Sequence, residues 1–185
     1  MTPGRVLVAG IGNVFLGDDG FGVEVVRRLA ESPVPEGVSV ADYGIRGIHL
    51  AYELLDGRFD TLIMVDAVPG DDPPGTVVVL EVDPSGDVDG PRLPDAHGMD
   101  PSSVLRLLRT FRVLGATPQN AEAPDWGTPS RGGAGLDRIL VVGCRPAVVA
   151  ETMELSEPVR AAVGEAARVA LDLAKRTTST STHGR

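Results

Sequence analysis

The stretch DTLIMVDAV, residues 60–68, constrains this chain more than any other. It is apolar on both of its alternating faces. A strand of that kind belongs inside a sheet covered on both sides, in parallel pairing. Short β-rich runs alternate with segments of helical period around it. RVLVAG (5–10), VSVADY (38–43), TVVVLEV (76–82) and RILVVGC (138–144) read as strands. Residues 20–32, 48–57, 101–114 and 156–175 read as helices. In the first of these, Val23, Val26, Arg27 and Ala30 recur at i, i+3, i+4 and i+7, the arginine interrupting the stripe. Asp100 and Pro101 mark a cap and first turn for the third helix, and Ser156 or Glu157 precedes Pro158 at the start of the fourth. The alternation predicts an α/β fold, a twisted and mostly parallel sheet with helices on both faces. The turn GDDPPG between 60–68 and 76–82 is too short for a helical crossover, so strand 76–82 is expected to run antiparallel, at or near an edge.

The 185 residues suit one domain. Its expected extent is residues 1–176, interrupted by a Gly/Pro-rich inserted loop at 115–137 and followed by a disordered tail, 177–185. A net charge of −9 argues against nucleic acid and against an anionic membrane surface. No cationic and apolar leader is visible and no apolar run reaches about 18 residues, so a cytoplasmic protein is expected. One cysteine, Cys144, excludes an intramolecular disulfide and a cysteine-rich zinc site.

In an open α/β sheet the site lies beyond the carboxyl ends of the strands. Gly10-Ile11-Gly12 after the first strand matches the start of a dinucleotide fingerprint, and Asp42 ends the second strand where a ribose-binding acid belongs. Yet the sixth position is Phe15, and Asp18 and Asp19 fall where pyrophosphate should sit, so an NAD-dependent oxidoreductase is disfavoured. Helix-capping accounts for one such aspartate, not readily for two. Gly17, Gly20 and Gly22 are expected to let the loop bend so that a carboxylate faces the strand ends. Asp66 closes the most apolar strand, where an unpaired charge is costly. His97 lies in the loop PDAHGMDP. Two carboxylates and an imidazole from three segments make a plausible open metal site. Neither HExxH nor GxSxG occurs, and a Cys144–His97 thiol pair is a weaker alternative.

Taken in order, GIGNVFLGDDGFGVEVV, GIRG, LIMVDAV with PGTVVVLE, HGMDP, ILVVGCRP and ELSEPVRAAV resemble the hydrogenase maturation endopeptidases, from about residue 5 to residue 173. These enzymes trim the C-terminal extension of the [NiFe] hydrogenase large-subunit precursor after nickel insertion. The resemblance implies a twisted five-stranded sheet between helices. It also implies a metal and catalytic set at Asp19, Asp66 and His97, with Asp18 as a cap or supporting group. Nickel is then supplied by the precursor, the enzyme is a monomer, and Gly44, Arg46 and Gly47 line the cleft that takes the precursor's tail. Whether the metal or a carboxylate activates water stays open. So does a non-cleaving chaperone that binds nickel and precursor. Phe15 stands where the family usually has an aliphatic residue, and the 115–137 loop is longer than expected.

Overall fold

The computed structural model describes residues 5–83, 101–113 and 136–180. Five strands, β1 (Val6–Ile11), β2 (Val38–Gly44), β3 (Thr61–Ala67), β4 (Val77–Val82) and β5 (Arg138–Cys144), form one sheet in the order β2-β1-β3-β5-β4. The β2–β1, β1–β3 and β3–β5 pairs are parallel, and β4 lies antiparallel to β5 at the edge. The doubly apolar β3 is the central strand, as its composition requires. The short turn does send β4 back antiparallel. Its partner is β5, because β5 occupies the place beside β3.

Four helices cover the sheet: α1 (Phe21–Ala30), α2 (Gly47–Leu55), α3 (Pro101–Val113) and α4 (Glu157–Thr180). The period of two in each strand divides the core between the faces. Val6 and Val8, Ile63 and Val65, and Leu140 and Val142 pack with α1 and α4. Leu7 and Ala9, Leu62 and Met64, and Ile139 and Val141 pack with α2 and α3. Five buried alanines of α4, from Ala162 to Ala174, keep that helix close to the sheet.

Two expectations need correction. In α1 the buried residues are Phe21, Val25 and Leu29 with Gly22, Val23 and Val26, while Arg27 and Ala30 are exposed. The helix is gripped between sheet and α4, so its buried arc is wider than the stripe and offset from it. Arg27 and Arg28 turn to water and pair with Glu24 and Glu31. The last helix also runs on to Thr180, through the first residues of the expected disordered tail. There the hydroxyls of Thr177, Thr178 and Ser179 donate to carbonyl oxygens of the preceding turn, at 2.9 Å each. The expected cap Asp100 and residues 115–135 of the expected loop 115–137 lie outside the described residues; its last two, Leu136 and Asp137, lead into β5, Leu136 buried and the Asp137 N–H donating to the Asp60 carbonyl at 2.8 Å.

Candidate active site

Beyond the carboxyl end of β1 the chain turns at Val14 and Phe15, then forms one 3-10 turn, Gly17–Gly20, that leads straight into α1. With three residues per turn, successive side chains point about 120° apart. Asp18 and Asp19 therefore serve different neighbourhoods.

Asp18 is fully buried. Its Oδ2 accepts the backbone N–H groups of Ala147 and Val148 at 2.8 Å each and the Ser156 hydroxyl at 2.9 Å. Its Oδ1 accepts the Ser156 N–H at 2.6 Å. Burial alone would raise its pKa, but these hydrogen bonds outweigh it and hold the carboxyl below its ordinary value. Asp18 thus fastens the first loop to the segment between β5 and α4, a supporting role. Ser156 precedes α4, and its carbonyl accepts the Arg160 N–H at 2.8 Å, but its hydroxyl is given to Asp18 rather than to a cap of its own helix.

Asp19 turns the other way. Its Oδ2 accepts the Asn13 N–H at 2.7 Å. Gly12 lies beneath, with φ +121°: a Cβ there would overlap the Asp19 carbonyl oxygen and stand 3.4 Å from Asp66 Oδ1. The absence of a side chain at Gly12 lets the Asp19 turn settle against the end of β3. Asp66 follows Leu62 and Met64 on the α2/α3 side of the sheet, is 3% exposed, and accepts the Ala67 N–H at 2.8 Å. The glycines of the loop act mainly through space. Of Gly17, Gly20 and Gly22, only Gly17 has a positive φ, 62°. A Cβ at Gly22 would overlap the Val65 and Ile11 carbonyl oxygens, so this glycine lets α1 start directly over the strand ends.

The third wall comes from β2. The β1–β2 register slips between the Gly10–Asp42 and Ile11–Gly44 pairs, leaving a bulge at Tyr43 that re-aims the strand's end. The Gly12 N–H donates to the Gly44 carbonyl at 3.1 Å, which sets Gly44 beside the Asp19–Asp66 junction. Gly47 is buried as the first residue of α2. The Arg46 guanidinium folds back, donating through Nη2 to the Asp42 carbonyl at 2.6 Å and through Nε to the Tyr43 carbonyl at 3.3 Å. Beneath it the buried Tyr43 hydroxyl donates to Glu53 of α2, and burial together with that bond pushes the phenol well above its ordinary pKa.

The structure brings Asp19, Asp66 and Gly44 together about Gly12. His97 lies outside the described residues, and among the described residues no cluster of three or more histidine, cysteine or acidic side chains forms a metal centre. Cys144 is buried in the α1/α4 core, and burial pushes its thiol up to about 11, with the Asp18 carboxylate adding to the rise. That is the environment of a core thiol and not of a nucleophile. Between β1 and α1 stands the 3-10 turn with its two carboxylates, in place of a tight glycine turn opening directly into the helix. Sequence reasoning missed Gly12 as the spacer and Asn13 as the donor to Asp19; a glycine-asparagine pair after a strand was the available signal.

Comparison with known proteins decides the family. The model of the hydrogenase maturation protease family (HycI) matches residues 23–132, more than half of the chain; the match takes in Asp66 and His97 and begins after Asp19. The chain belongs to the hydrogenase maturation proteases. A Methanocaldococcus jannaschii protein, provisionally named a hydrogenase maturation protease, is 41% identical over 68% of this chain and 83% of its own. The hydrogenase expression/formation protein HoxM of Azotobacter vinelandii is 33% identical over 95% of this chain and 75% of its own. Among solved structures, a hydrogenase 2 maturation peptidase from a Thaumarchaeota archaeon superposes with TM-score 0.61 at 27% identity, covering 91% of this chain and 97% of that one. The Escherichia coli maturating endopeptidase HybD shares the fold at TM-score 0.67 and 22% identity, covering 93% of each chain. This maturation protease is therefore a peptidase on a five-stranded α/β scaffold, with Asp66 at the end of β3 and the backbone of Asp19 on the 3-10 turn both beside Gly12.

Proposed function

We propose that this maturation protease removes the C-terminal extension of a [NiFe] hydrogenase large-subunit precursor once nickel is in place. The nickel arrives with the substrate and serves as the recognition element. The observation that carries the reading is the Asp19–Gly12–Asp66 junction: the Asp19 main-chain carbonyl and the nearly buried Asp66 carboxylate, from separate segments, both lie against Gly12 at the mouth of the sheet. Hard carboxylate oxygens with one imidazole suit a divalent first-row metal. Asp19 and Asp66 supply the oxygens in this proposal and His97 the nitrogen. Gly44, Arg46 and Gly47 line the path by which the precursor's tail reaches the scissile bond. Hydrolysis adds water across that peptide bond, its oxygen to the carbonyl carbon and its protons to the leaving amine and the bulk.

No helix among the described residues is long and apolar enough to cross a membrane. The net charge of −9 fits neither nucleic acid nor an anionic lipid surface. A monomer working in the cytoplasm, where such precursors are assembled, completes the proposal. The test is precursor cleavage by Asp66→Asn and His97→Ala proteins whose melting temperatures match the wild type. Losses of about a hundredfold or more are expected. Cleavage at the wild-type rate by either variant sinks the ligand assignment. Precursor binding without cleavage by the wild type would favour the chaperone.

A further inference from the structure

Among the described residues, six of the ten exposed large apolar side chains, Phe15, Ile45, Ile48, Val148, Val149 and Met153, stand on segments leaving the carboxyl ends of β1, β2 and β5. Single exposed apolar residues are ordinary, but a contiguous set around a site marks an interaction surface. The larger group is contiguous by hydrogen bonding. Thr152 N–H donates to the Phe15 carbonyl at 3.1 Å, Gly17 N–H to the Thr152 carbonyl at 2.6 Å and Asp18 N–H to the Val148 carbonyl at 3.0 Å. These bonds stitch the Phe15 turn to the 148–153 segment. Within that group Met153 is 72% exposed, Phe15 61% and Val149 57%. Beside them opens a groove of about 510 Å³ whose apolar lining is Val14, Met153, Leu155 and Val163, reaching the 3-10 turn at Gly17 and Gly20.

We infer that this face seats the folded body of the precursor, with one protruding apolar side chain of the precursor in the groove. The inference rests on the precursor reading above. Two observations select the occupant. One short turn, Asn13 to Asp19, carries Phe15 on the face and Asp19 in the candidate site, so a body seated there lies beside the point where its own tail must be cut. The charged lining of the groove is Glu24, Glu154 and Arg160, the arginine pairing with Glu154 at 3.5 Å, and exposed Glu151 and Glu157 flank it, so acid outweighs base around the groove. A second copy of this chain would bring the same acidic segment against its own kind, which disfavours self-association. A partner with an apolar centre and basic surroundings fits. A central apolar anchor in a pocket, ringed by polar contacts, is the ordinary anatomy of such an interface.

The test uses Val149→Lys and Met153→Lys, exposed positions at which the fold has nothing to lose. Cleavage of the full nickel-loaded precursor is followed by intact mass, and its binding by calorimetry. Each variant is expected to keep the wild-type melting temperature and kcat while KM and Kd rise about tenfold or more. Unchanged KM and Kd in both variants, with the wild type cleaving, would overturn the docking face and leave the protease reading intact. A wild-type protein that binds but does not cut, with binding weakened by both lysines, would do the reverse. Sedimentation showing a wild-type dimer that Met153→Lys dissociates would assign the face to a second copy and refute the inference.

Discussion

Removing the Asp18 carboxylate tests how the site is held. In the wild type this carboxylate accepts four hydrogen bonds, from Ala147, Val148 and Ser156 N–H groups and the Ser156 hydroxyl, spanning 129 to 138 residues of sequence. A hydrogen bond to a charged group contributes about 1.5–3 kcal/mol, and such contributions within one network do not add in full. Ala147 and Val148 are exposed residues whose N–H groups can turn to water in Asp18→Ala, whereas Ser156 is half-buried. A net loss of about 3–5 kcal/mol follows, less than the full sum of four such bonds because two of the freed donors reach water. For a domain of this size that corresponds to a fall in melting temperature of about 8–15 °C. The sign of the pH dependence is fixed as well. The folded carboxyl titrates below its ordinary value, so its contribution is complete above the unfolded pKa near 3.9 and is lost as pH falls through the folded pKa. Thermal melts of wild type and Asp18→Asn should therefore stand a constant distance apart from pH 7 to about pH 5 and converge below about pH 4. Asp18→Ala melting within 2 °C of wild type at pH 7, roughly the shift expected from 1 kcal/mol or less, would refute the reasoning. So would a gap between wild type and Asp18→Asn that widens on acidification.

Three further outcomes follow from the same geometry. Gly12→Ala, whose methyl overlaps the Asp19 carbonyl, should displace the 3-10 turn and cut precursor cleavage about a hundredfold, read as kcat/KM. Gly22→Ala should melt lower than Gly164→Ala, because the first methyl meets the Val65 and Ile11 carbonyls and the second meets nothing within 4 Å. Cys144→Ala should cleave precursor like wild type, and the folded wild-type thiol should resist iodoacetamide at pH 8, as expected of a buried thiol pushed up to about 11.

The sheet was legible in the sequence because each strand obeys a local rule. Leu62 to Val65 leave no polar face, which marks β3 as central, and the turn between β3 and β4 is too short for a helix, which sets β4 antiparallel; that β5 lies between them needed the structure. The offset buried arc of α1 was not legible, since it depends on how α4 closes over it. The end of α4 was missed because the threonines and serine there look like a tail, whereas their hydroxyls satisfy carbonyls of the preceding turn. In the site, the resemblance already set Asp19 apart from Asp18, and the 3-10 turn supplies the physical reason, pointing the two side chains to different neighbours. The partners of Asp18 lie too far along the chain for any local pattern to name them. That Gly12 is the spacer between Asp19 and Asp66 likewise needs the β1–β3 register, which places Val65 opposite Gly10.

The proposed function requires that nickel carried by the precursor license the cut. Purified protease is incubated with nickel-loaded and nickel-free forms of the same precursor, and the large subunit is weighed by intact mass spectrometry. Loss of a C-terminal segment from the loaded form alone is expected, and from neither form with Asp19→Asn. Equal trimming of both forms, or trimming of the loaded form by Asp19→Asn at the wild-type rate, would contradict the proposal.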